Sequence, residues 1–140
     1  MPGIVTHNFI FHEAVEYLKK KKNRTFLSTS IETLFSTEYY KRAALFGTIG
    51  PNIFDYTPFR RNRSQGSRLS FMLHDGGSAE LLSAMLDKTM AHSDFNTEWA
   101  STQRAYLYGF ISHIIADAHF HPFMLYWSGF PDSRKRREAA

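Results

Sequence analysis

The 140-residue sequence contains no cysteine, and this absence excludes several kinds of chemistry. Disulfides, thiolate metal sites and cysteine nucleophiles all need a thiol, so any bound metal must be held by nitrogen and oxygen ligands. No apolar run reaches the roughly 18 residues of a membrane span, and no basic segment leads into an apolar signal region at the N-terminus. These patterns predict a cytoplasmic or membrane-peripheral protein.

The composition of the chain is that of one globular domain. Hydrophobic residues make up 43% and charged residues 21% of the chain, which excludes a disordered protein. The net charge of +4 comes from two short basic runs, residues 19–22 and 134–137. Such runs are typical of solvated helix ends or tails, so no specific nucleic-acid or protein partner is indicated.

Apolar periodicity predicts an all-α domain of about five helices. No segment alternates with period two for long enough to form a strand. The last helix is expected to end before Pro122, because a proline disfavours helix at the preceding residue. Residues 47–66 are expected to form a long loop with one turn near residues 52–56, and loops of that length are more often functional. Helices are expected over residues 6–22, 29–46, 67–75, 79–92 and 96–120.

The histidine-rich end of the last expected helix is the most informative pattern. At 100° per residue, His113, Asp117 and His121 lie on one face. Gly109 shares that face and would let a neighbouring helix approach closely. A histidine and a carboxylate four residues apart can chelate one ion, although an isolated pair is more often a surface hydrogen bond. In so apolar a helix an aspartate needs a partner, which favours a metal.

Two more histidines and one loop are candidates for the same metal. His7 opens the first helix and His74 ends the third, and neither has a motif of its own. The loop places Asn52 and Asp55 one turn apart. Three further histidines are expected to lie away from the metal: His12, His92 and His119.

Four segments follow one another in an order and at a spacing typical of a known family: residues 1–7, 47–56, 73–74 and 109–129. The most specific of them is the HxxxD pattern followed by His-Pro. With these segments the chain resembles the zinc-dependent phospholipase C family, in the superfamily that also holds single-strand-specific zinc nucleases. The resemblance implies one all-α domain over residues 1–140, with up to three zinc ions in a cleft between helices.

The resemblance also implies ligand sets. Asp117 would bridge two zinc ions, and His7 would complete the first. The second would take His74, His113 and an acid of the loop. His121 is the nearest match to the first ligand of a third zinc.

Two departures from the family pattern change these expectations. The family usually reads Gly-Pro-Asp where this chain has Gly50-Pro51-Asn52. An asparagine oxygen can bind a metal but cannot act as a general base, so Asp55 becomes the candidate base or ligand. The family's third zinc takes an HxxxE segment after His-Pro, and none follows His121. One or two zinc ions are therefore expected, in a domain that lacks the C-terminal part of the family fold.

The function implied by the resemblance is zinc-dependent hydrolysis of phospholipid head-group esters, with weak or no turnover by this chain. Arg60, Arg61, Arg63 and Tyr56 are candidate contacts for an anionic head group, although a basic loop is more often simply solvated. Three alternatives stay open: a nuclease of the same superfamily, an HD-type phosphohydrolase suggested by His74-Asp75, and an inactive metal-binding protein.

The apolar segment 123–127 follows the histidine-rich run. Monomers rarely expose large contiguous apolar patches. We therefore expect this segment to be uncovered and to mediate self-association.

Overall fold

A computed structural model describes residues 3–20, 30–32, 35–56, 63–91 and 97–128 of the chain. Within these ranges the regular elements are all helical, with no strand. The all-α prediction is therefore confirmed for the part of the chain that the structure describes. None of the helices in these ranges is both long and apolar enough to cross a bilayer.

Seven helical segments with defined bounds follow one another along the chain. The five α-helices are α1 (Ile4–Lys20), α2 (Glu38–Gly47), α3 (Arg63–Met72), α4 (Ser78–Met90) and α5 (Glu98–Ser128). A 3-10 helix, Gly50–Tyr56, follows α2 after a two-residue turn, and a π-helical turn, Leu73–Gly77, joins α3 to α4.

Several expected boundaries were wrong. The helix expected over residues 29–46 is interrupted by a turn at residues 35–37, and α2 begins only after Thr37, whose backbone is extended. The turn expected near residues 52–56 is present as the 3-10 helix, whereas α3 begins at Arg63 rather than at residue 67. The helix expected over residues 67–75 does not end there, because the π-helical turn carries the chain through Gly76 and Gly77 into α4.

The expected end of the last helix was also wrong, because α5 continues through Pro122 to Ser128. A proline has no N–H group, so the carbonyl of Ala118 loses its helical donor. Ala118 is exposed, and water can satisfy that carbonyl, which makes the proline tolerable at this position.

The crossing of α2 and α5 organises the core. A Cβ atom on Gly109 would overlap the carbonyl oxygen of Ala44, and one on Gly47 would overlap that of Tyr106. Glycine at both positions therefore lets the two backbones touch. The core beside this crossing consists of Phe11, Val15, Ile31, Phe35, Ala44 and Ala105. The close crossing also holds the end of α2 against the part of α5 that carries the histidines.

Candidate metal centre

Five side chains from three elements meet beside the middle of α5. The helix itself supplies His113, Asp117 and His121, which lie on one face because they are four residues apart. His7 reaches them from α1, and His74 from the π-helical turn. His7 and His113 are 1% exposed, and their rings stack with centroids 4.1 Å apart.

The carboxylate of Asp117 lies at the centre of this group, which we call the histidine cluster. Its Oδ1 lies 3.3 Å from Nε2 of His7 and 3.2 Å from Nε2 of His121. Its Oδ2 lies 3.1 Å from Nε2 of His113 and 3.5 Å from Nε2 of His74. Each carboxylate oxygen therefore faces one pair of imidazoles.

The polar atoms at the centre of the cluster make no hydrogen bond, although buried polar atoms almost always do. Their separations of 3.1–3.5 Å match the edge of a ligand tetrahedron around zinc, which is about 3.3 Å for zinc–nitrogen bonds of about 2.0–2.1 Å. Nitrogen and oxygen donors in this mixture suit zinc. The residues therefore fit a bound metal. The unpartnered atoms are Nε2 of His7, His74, His113 and His121 and both carboxylate oxygens of Asp117.

Backbone carbonyls orient two of the rings. Nδ1 of His113 donates to the carbonyl of Thr48 over 2.9 Å, and Nδ1 of His74 donates to that of Ser70 over 2.6 Å. A ring that carries its proton on Nδ1 keeps the Nε2 lone pair for a metal. Both rings are thus held in the tautomer that leaves Nε2 facing the cluster.

The turn between α2 and the 3-10 helix packs directly on His113. Gly50 has a φ of +58°, and a Cβ atom there would overlap the His113 ring. Only glycine combines this backbone conformation with the close approach. The Thr48 hydroxyl donates to the carbonyl of Leu45 over 2.7 Å and also contacts the side chain of Asn8. That contact links the turn to α1 next to His7.

The protonation states of the cluster favour metal binding. Burial by itself would raise the pKa of Asp117, but the contacts from His113 and His7 hold it well below its usual range. Burial lowers the pKa of His74, although the carbonyl of Ser70 and the charge of Asp117 act in the opposite direction. At neutral pH Asp117 is therefore ionised and His74 is neutral, and zinc binds these forms.

The family model of zinc-dependent phospholipase C matches residues 6–137, a range that contains the whole cluster. The chain belongs to the zinc-dependent phospholipase C family. No curated protein and no solved structure matched the chain. The family description implies zinc, and the described residues with the closest set of ligand atoms are His7, His113 and Asp117.

The two candidate ligands of the loop lie in different environments. Asn52 is buried, whereas Asp55 is half-buried and accepts a hydrogen bond of 2.9 Å from the Ser70 hydroxyl. Within the described ranges, no histidine lies as close to the carboxylate of Asp55 as four histidines lie to that of Asp117. Asp55 thus reaches His74 indirectly, since Ser70 contacts both residues.

Two of the four candidate head-group contacts lie outside the described residues. Tyr56 ends the 3-10 helix and is exposed. Arg60 and Arg61 lie outside the described ranges, and Arg63 begins α3 with a side chain that is not described. Their proximity to the histidine cluster therefore stays a prediction.

Two of the three histidines expected to lie apart do so. His12 is exposed and lies 3.7 Å from Glu13, and the exposed His119 donates from Nδ1 to the carbonyl of Ile115. His92 lies outside the described residues.

Thr48 and Ser70 are the residues of the site that the sequence patterns did not indicate. Ser70 precedes His74 by one helical turn, and that spacing is a signal that could have found it. Thr48 is 65 positions from His113 and contributes its carbonyl, which any residue type offers, so no sequence signal marks it.

Proposed function

We propose that this protein is a zinc-dependent phosphodiester hydrolase that acts on phospholipid head-group esters. The observation that supports it most directly is the convergence of six unpartnered atoms from five side chains, in a chain that belongs to the zinc-dependent phospholipase C family. The carboxylate of Asp117 is buried among four imidazoles at 3.1–3.5 Å without a hydrogen bond to any of them, and a cation between these groups would compensate for the burial of its charge.

The pairing of histidines with the two oxygens of Asp117 supports a site for one or two zinc ions. His7 and His121 share Oδ1, and His74 and His113 share Oδ2. Asp117 would then bridge two ligand pairs. This grouping joins His121 to His7, whereas the resemblance alone assigned His121 to a third zinc.

When bound, zinc lowers the pKa of a water molecule and neutralises charge on the phosphate. The chain's own residues prepare the site for that ion. Asp117 supplies the negative charge, and the carbonyls of Thr48 and Ser70 hold two rings in place. Asp55 is our candidate for the general base or for a further ligand, and its hydrogen bond to Ser70 orients its carboxylate.

The test combines metal analysis with turnover of three substrates. Zinc-loaded protein is assayed on phosphatidylcholine, on single-stranded DNA and on a phosphomonoester, beside Asp117→Asn and the matched control Asp87→Asn. Asp87 is exposed on α4, so Asp87→Asn removes the same single negative charge as Asp117→Asn but does so outside the cluster. We expect zinc binding and slow, zinc-dependent hydrolysis of phosphatidylcholine, both lost only in Asp117→Asn.

Other outcomes would overturn the proposal. Hydrolysis of DNA or of the phosphomonoester in place of the lipid would indicate a nuclease or an HD-type enzyme. Zinc binding without turnover of any substrate would indicate an inactive metal-binding protein.

A further inference from the structure

A second concave site lies between α2, α4 and α5 and shares no residue with the histidine cluster. Its volume is about 420 Å³. Pockets for small molecules in proteins typically measure about 300–1,000 Å³, so this one has the size of a ligand site. Its lining residues are Ala43, Phe46, Met85, Lys88, Thr89, Trp99, Thr102, Gln103 and Tyr106.

Most of this lining is apolar. Phe46 and Tyr106 place their ring centroids 5.8 Å apart. The two threonines use their hydroxyls within their own helices, since Thr89 donates to the carbonyl of Met85 and Thr102 to that of Glu98, each over 2.8 Å. Neither hydroxyl hydrogen therefore remains for a ligand, and the walls favour an aliphatic or aromatic body.

Two polar groups of the lining have no partner among the residues that the structure describes. Lys88 is exposed, and the ion pairs found among the described residues do not include it. Oε1 of Gln103 is buried and has no hydrogen-bond partner. Burial raises the pKa of Tyr106, so its hydroxyl stays neutral at physiological pH. Among the residues that the structure describes, no carboxylate lines the pocket, and the only formal charge of the lining is the positive charge of Lys88.

We infer that this pocket binds a single-chain aliphatic anion, such as a fatty acid. The chain would lie among the apolar walls, and the carboxylate would pair with Lys88. Gln103 adds a hydrogen-bond donor, because a 180° rotation of its side-chain amide places the NH₂ group where the oxygen now lies. A cationic amphiphile would meet Lys88 with like charge, which excludes that class. The inference does not depend on zinc or on hydrolysis.

The position of the two tryptophans allows a direct test. The chain has only Trp99, which lines the pocket, and Trp127, which is exposed near the end of α5. A brominated fatty acid quenches a tryptophan that it contacts. We expect saturable quenching in Trp127→Phe, which keeps Trp99, and no saturable quenching in Trp99→Phe. Quenching of Trp127 alone would overturn the inference, because the fatty acid would then lie on the exposed end of α5.

The charge requirement is tested with dodecanoate and the neutral dodecanol. Lys88→Gln should weaken dodecanoate binding by about two- to fivefold, the range for an exposed ion pair, and leave dodecanol binding unchanged. Lys20→Gln is the matched control, since Lys20 is exposed at the end of α1. The inference would be overturned if the two substitutions had equal effects. It would also be overturned if the unmodified protein bound the two ligands equally or bound neither.

Discussion

The two halves of α5 are similarly apolar but have opposite environments. In the first half, Ala100, Ala105, Leu107 and Phe110 are buried. From residue 120 onward the large apolar side chains that the structure describes are exposed, although four of them have the i, i+3, i+4, i+7 spacing of a core-facing stripe: Phe120, Phe123, Met124 and Trp127. Hydrophobic spacing therefore marks a face that can be covered, and only a packing partner decides whether it is.

Small residues explain why the first half has a partner. Gly109 lets α2 approach to backbone contact, and α2 in turn places Thr48 on His113. The histidine cluster lies where the two halves meet. His113 is 1% exposed on the buried side, whereas the side chain of His121 is 32% exposed on the open side. The cluster is therefore closed by the core on one side and accessible from the other.

The sharpest way to break this comparison is to remove one histidine from each half of α5. His113→Ala should lower zinc affinity by more than the roughly 10–100-fold that changes around metal ligands cost, whereas His119→Ala should have no effect. Zinc retained after dialysis is measured by elemental analysis.

A second pair of substitutions, at His74 and His12, keeps the metal site testable even if the His113 variant misfolds. His74 is half-buried and His12 is exposed. His74→Ala should lose zinc and His12→Ala should keep it. Equal zinc content in all four variants would remove the basis for the metal site.

The next largest effect should come from the crossing of α2 and α5. Gly109→Ala should destabilise the fold by about 3 kcal/mol, because the methyl group overlaps the Ala44 carbonyl and a backbone atom cannot rotate away. Urea denaturation gives the free energy of unfolding. Ala118→Ser adds one atom in the exposed half and should change that free energy by no more than about 0.5 kcal/mol. A stabilised Gly109→Ala variant, as helix propensity alone would give, contradicts the close crossing.

Lowering the pH should release zinc over a narrow pH range. The pKa values of His74 and Asp117 are both lowered, which keeps the imidazole neutral and the carboxyl group ionised. Both side chains can therefore still bind zinc as the pH falls towards the ordinary histidine pKa of about 6.5. Below about pH 6 we expect progressive loss, because protonated imidazoles cannot bind metal. Dialysis over a pH series with elemental analysis measures this. Full retention at pH 4 would argue against histidine ligands.

The smallest effect on stability is expected in the exposed half. Phe123→Ser combined with Trp127→Ser should change the free energy of unfolding by no more than about 0.5 kcal/mol per site, since both side chains are exposed. The same variant should be monomeric, whereas we expect the unmodified chain to self-associate through residues 123–127. Light scattering decides this, and a monomeric unmodified chain would show that the stripe serves another purpose.

The sequence was informative wherever one helix carries the whole pattern. Four-residue spacing places His113, Asp117 and His121 on one face whatever surrounds the helix, and the position of Gly109 already indicated a close crossing. Pro122 shows the limit of such local reasoning. A helix can continue through a proline where water reaches the carbonyl four residues earlier, which the proline leaves without a donor, and it ends where water does not.

The sequence by itself determined the all-α class, the cysteine-free ligand chemistry and the face of α5 that carries the histidines, because these follow from composition and from helix geometry. Only the tertiary structure decided which imidazoles face each oxygen of Asp117, that Thr48 orients a ring 65 positions away, and that Lys88 lines a pocket with Trp99. Those relations depend on how separate helices pack. Packing is the summed result of many weak contacts, and no short stretch of sequence contains it.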